Sequence, residues 1–74
     1  MYAGNCNIKC RRPGFDTKWQ FVAPKGALTG RRVHASIYAN EIEARRFIED
    51  NRSLNPGWDF RIVDLIGRVI AKGV

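Results

Sequence analysis

At 74 residues the chain has room for one domain, and its 45% hydrophobic and 27% charged composition excludes a disordered chain. No apolar run approaches the length of a bilayer span, which argues against a membrane protein. The formal charge is +6, and it is unevenly placed: seven basic residues stand against Asp16 alone before Asn40, whereas six basic and six acidic residues balance from Asn40 onward. An excess confined to the N-terminal half sets up a positive field that attracts phosphates or acidic protein surfaces, although net charge also serves solubility in a small domain. The N-terminus lacks the basic-then-apolar pattern of a signal peptide, so a cytoplasmic location is expected.

The chain opens with Asn5-Cys6-Asn7-Ile8-Lys9-Cys10-Arg11, whose alternation predicts a half-buried strand with Cys6, Ile8 and Cys10 inward. The two sulfurs of such a strand stand about 13 Å apart, too far for a mutual disulfide. Buried thiols acting as small hydrophobes are expected. A zinc site built from Cys6, Cys10 and His34 would lack a fourth good ligand. Arg12-Pro13-Gly14 breaks the strand, and Lys18 to Ala23 begins another with Trp19, Phe21 and Ala23 on one side. Pro24 to Gly30 reads as a flexible connection, without the Gly-Lys-Ser/Thr spacing of a phosphate-cradling loop. Arg31 to Tyr38 resumes the alternation, with Val33, Ala35 and Ile37 inward and Arg32, His34, Ser36 and Tyr38 outward. These two segments would form an antiparallel hairpin with a long basic tip.

From Asn40 to Leu54 the period becomes helical: Ala44, Phe47, Ile48, Asn51 and Leu54 share one stripe, and Arg45, Arg46, Glu49, Asp50 and Ser53 lie opposite. Ile42 falls off the stripe. Asn40 is a good N-cap, Glu43 sits at capping-box spacing, and Glu41 and Glu43 favour the positive end of the helix dipole. Glu41 with Arg45, Arg45 with Glu49 and Arg46 with Asp50 stand at i,i+4 spacing, so the outer charges are spent on one another. Asn55-Pro56-Gly57 stops the helix.

Beyond it, Trp58 to Asp64 places Trp58, Phe60 and Ile62 on the core side, Leu65-Ile66-Gly67 turns the chain, and Arg68 to Lys72 returns as a short strand. The expectation is a single α+β domain over residues 1–74: an antiparallel sheet of four or five strands with one helix on one face, in the order β-β-β-α-β-β. A single helix covers one face, leaving the other solvated or used. That face would carry Lys9, Lys18, Gln20 and Arg32, then His34, Ser36, Tyr38 and Arg61, with Arg68 and Lys72 as further candidates and Arg31 at the edge. Basic residues interleaved with Tyr38 and His34 suit a phosphate backbone with occasional stacking, while Lys and Arg on exposed strands also deter edge-to-edge aggregation.

Catalysis finds little support. The chain has one His and none of the Gly-x-Ser-x-Gly, His-Glu-x-x-His or Cys-His-Asn patterns, and a Cys10–His34 pair would point to opposite sides of the sheet. No enzyme activity, cofactor, metal or small-molecule substrate is expected.

Two resemblances add to this. Across Trp19 to Phe47, the hairpin followed by Tyr38-x-Asn40-x-x-Glu43-Ala44-x-x-Phe47 resembles the arm-type DNA-binding domains of phage integrases and the related plant AP2 domains. That resemblance implies a three-stranded sheet, backed by a helix, that lays its strands in the major groove. Over the whole chain, the size, basicity and strand-helix-strand-Gly-strand ending resemble small phage and prophage proteins of the anti-CRISPR kind. This second resemblance implies a non-enzymatic inhibitor that binds a host nucleoprotein complex, in the host cell cytoplasm, as a monomer or weak homodimer. The residues expected to bind are Lys18, Lys25, Arg31 and Arg32, with His34, Tyr38 and Arg61.

Overall fold

The computed structural model describes residues 1–12, 14, 18–54 and 56–73. Pro13 and Asn55, from the expected breaks after the first strand and the helix, and Asp16 lie outside the described residues. The fold is α+β, with one helix and a five-stranded antiparallel sheet in the chain order β-β-β-α-β-β. No helix is long and apolar enough to cross a membrane.

β1 (Cys6–Arg11) is the central strand. β4 (Asp59–Asp64) pairs along its whole length, from Cys6 opposite Asp64 to Arg11 opposite Asp59. On the other side, β2 (Gln20–Val22) pairs with its second half, Phe21 facing Lys9 and Gln20 facing Cys10. β3 (Leu28–Thr29) and β5 (Val69–Lys72) are the edges, giving the order β3-β2-β1-β4-β5. The last ladder carries an irregularity: Ile62 faces Ala71 but Val63 faces Val69, so Ile70 is the extra residue.

Helix α1 (Glu41–Arg52) begins as its sequence requires, with the Asn40 side chain accepting a hydrogen bond from the Glu43 amide at 2.9 Å. Its stripe seats Ala44 and Ile48 against Cys6, Ile8, Cys10, Val22, Phe60 and Ile62, with Phe47 and Trp58 at the margin. Burial of Ile48 or Ile62 contributes about 1.5–3 kcal/mol each. Cys6 and Cys10 are free thiols inside this core, as their alternation with Asn7 and Lys9 indicates. Burial pushes the Cys10 thiol up to about 11.

Several expectations need correction. Leu54, assigned to the buried stripe, is 76% exposed in the turn beyond the helix. Glu41 pairs with Arg45 at 2.7 Å as its i,i+4 spacing predicts, but it is buried instead of lying on the solvated outer face, and it also accepts a hydrogen bond from the Tyr2 amide. Arg46 turns to Glu43 at i,i+3 spacing. In β2 the assignment of faces is reversed. Directly opposed residues share a face, so the pairing of Phe21 with Lys9 sends Phe21 and Trp19 away from the helix and turns Val22 into the core.

The Pro24–Gly30 connection is tighter than expected. Lys25 (φ 63°, ψ 25°) and Gly26 (φ 76°) are both left-handed, as a type I′ hairpin turn requires, and the Ala23 amide donates to the Ala27 carbonyl at 2.7 Å. The third strand is therefore Leu28–Thr29 and not Arg31 to Tyr38. The latter segment is a strap containing a 3-10 turn at Arg32–His34, and Val33 and Ile37 point to solvent instead of the core. Its backbone pairs with β1 where Tyr38 and Cys6 exchange hydrogen bonds.

Candidate functional site

The register places Asn7, Lys9 and Arg11 of β1 on the face turned away from α1, together with Phe21, Arg61 and Val63. This front is not uniformly open. At one end Asn7 and Val63 are buried, and the Asn7 amide donates to the Ser36 carbonyl at 2.9 Å, which ties the strap across the sheet. Ser36 in turn donates from its amide to the Val22 carbonyl. The strap reaches the β4–β5 turn, where an Arg32 guanidinium nitrogen lies 2.7 Å from the place a Cβ on Gly67 would occupy. Gly67 has φ 92°, a conformation that favours glycine, whereas the flexible Arg32 tip can move aside for a Cβ. Asp64 holds that turn by accepting from the amides of Ile66 and Arg68.

At the other end the front carries an uninterrupted cationic row. Lys9 is the register partner of Arg61, and Arg61 of Lys72, so three positive side chains stand on neighbouring strands β1, β4 and β5. Like charges directly opposite one another destabilise a sheet. Aromatic rings take up part of the strain: the Lys9 ammonium lies 5.1 Å from the Phe21 centroid, and the Arg61 guanidinium 4.1 Å from that of Trp19. Arg11 approaches the same indole at 4.7 Å and binds Asp59 at 2.9 Å. Beside this row lies a notch of about 160 Å³, walled by Arg11, Trp19, Asp59, Phe60, Arg61 and Lys72, with Gly73 at its margin.

The residues singled out by sequence distribute as follows. Arg61 stands in the cationic row, and Arg31, Arg32 and His34 are exposed on the strap that crosses the same side. Lys18 is exposed just before β2, and Lys25 occupies the β2–β3 turn. Tyr38 does not belong to the front. It packs against the core with its ring 5.6 Å from that of Phe47, and burial raises its hydroxyl pKa. Gln20 takes the parity of Val22 on the helix side. Sequence reasoning missed Arg11 and Trp19. Arg11 was readable, because it alternates with the inward Cys10 just as Lys9 does; Trp19 was not, because its strand is apolar on both parities.

The electrostatic contrast with the back is clear. Helix α1 carries four acidic and three basic residues, so the chain's excess positive charge lies outside the helix, on the strands, the strap and the turns between them. Cys10 faces the helix side and His34 sits exposed on the strap, so the two do not meet. Among the described residues no three His, Cys, Asp or Glu side chains are grouped to hold a metal ion. Compared with models of known protein families, with curated proteins and with solved structures, the chain matches none.

Proposed function

We propose that this chain is a non-enzymatic binding module whose basic front engages the nucleic acid of a nucleoprotein complex, in the manner of a phage-type inhibitor that occludes its target. The observation that carries the reading is the row Lys9, Arg61, Lys72. Three cations on adjacent strands cost stability when the sheet stands alone, and a polyanion laid across them reverses the sign of that cost. The exposed Arg31 and Arg32 on the strap extend the same positive surface.

The second reading, a sheet laid in the major groove of duplex DNA as in integrase-arm and AP2 domains, draws on the same cations. It is the weaker of the two because Asn7, Phe21 and Val63 of the front are buried and offer no flat reading surface. The reading is tested by binding at two salt concentrations with the wild-type chain and an Arg31→Glu, Arg32→Glu variant of unchanged circular dichroism. Affinity that falls steeply with salt and is lost in the variant supports it. Salt-independent binding, or equal affinity in the variant, contradicts it. Preference for duplex DNA would favour the groove-reading alternative.

A further inference from the structure

Resting on the functional reading above, the geometry points to a single-stranded ligand, with one unpaired base seated in the notch beside Trp19. The notch volume of about 160 Å³ is close to that of the engineered cavity of about 150 Å³ that accepts a benzene ring, so it has room for one planar heterocycle. Its walls match the two parts of a nucleotide. The half-buried Trp19 indole already carries the Arg61 guanidinium at 4.1 Å and that of Arg11 at 4.7 Å, so a base in the notch has the ring and these planar guanidinium groups to stack on. Lys72, paired with Arg61 across β4 and β5, meets the phosphate that follows the base.

The relief of the front makes the choice between strands. The strap stands over Asn7 and Val63, while Trp19 is recessed at the opposite end. A duplex keeps its bases paired and stacked, so it presents only sugar and phosphate to a recessed ring, and turning a base out costs unpairing and unstacking energy. An unpaired strand presents its bases free and bends over an uneven surface. DNA and RNA share this chemistry.

The test measures fluorescence anisotropy of labelled single strands of about 12 nucleotides, one DNA and one RNA, and of the corresponding DNA duplex, a length within single-strand site sizes. The chains compared are wild type, Trp19→Ala and Trp19→Phe, with melting temperatures recorded for each. Expected is tighter binding of at least one single strand than of the duplex. Trp19→Ala should weaken single-strand binding roughly tenfold without altering duplex binding, and Trp19→Phe, which keeps a ring, should retain most of it. The DNA and RNA arms identify which strand is taken. Tighter duplex binding by the wild-type chain overturns this inference in favour of the groove-reading alternative. Equal duplex binding overturns this inference and leaves the functional reading standing. So does full single-strand affinity in a folded Trp19→Ala chain. Absence of binding to every oligonucleotide overturns both.

Discussion

The Arg61 guanidinium carbon lies 4.1 Å from the centroid of the Trp19 ring, joining β4 to the residue that leads into β2 across the intervening β1. This contact keeps a cation in a row of like charges and turns the indole toward the notch. A double-mutant cycle with Arg61→Ala and Trp19→Leu, measured by urea unfolding, should give a favourable coupling of about 0.5–1 kcal/mol. Strict additivity of the two losses would show that the contact contributes nothing.

Lys25 holds φ 63° in the β2–β3 turn, a conformation that costs an ordinary L-residue about 1–2 kcal/mol and an asparagine less. Lys25→Asn should therefore raise stability by about 1 kcal/mol in urea titration. A destabilised variant would show that the lysine side chain makes a compensating contact.

The Glu41 carboxylate accepts from the Tyr2 amide at 3.1 Å and from Arg45 Nε at 2.7 Å, and these bonds, the backbone one first, hold its pKa below the ordinary glutamate range. A depressed pKa means that the folded state binds fewer protons than the unfolded chain. The stabilisation is then fully present at neutral pH and fades as the pH falls through the folded-state value. Between neutral pH and about pH 3 the wild-type melting temperature should fall further than that of Glu41→Gln, the other acids being common to both. Parallel losses in the two chains would remove Glu41 from the acid response.

Where one residue type settled one alternative, the fold was legible in the sequence. Cys6, Ile8 and Cys10 alternate with polar neighbours, so β1 showed its buried face, and Asn40 with the stripe through Ala44 and Ile48 fixed the helix. β2 could not be read this way: Trp19 and Phe21 on one parity compete with Val22 on the other, and only the pairing of Phe21 with Lys9 decides between them. The strap misled for a related reason. Val33, Ala35 and Ile37 alternate like a strand, but β3 had already closed its hairpin at Leu28–Thr29 through the Lys25–Gly26 turn, so the segment runs across the front with Val33 exposed. The charge asymmetry foretold a basic surface, whereas the adjacency of Lys9, Arg61 and Lys72 is a property of register between distant segments.

The claim that the front is the binding surface is tested most directly by mapping amide and indole shifts of the isotope-labelled chain as a single-stranded oligonucleotide is added. The account predicts that shifts concentrate at Lys9, Arg11, Arg61 and Lys72, at the Trp19 indole and at Arg31 and Arg32 on the strap, while Arg45, Arg46 and Arg52 of the helix stay in place. Shifts centred on the helix, or spread evenly over every basic residue, would contradict it.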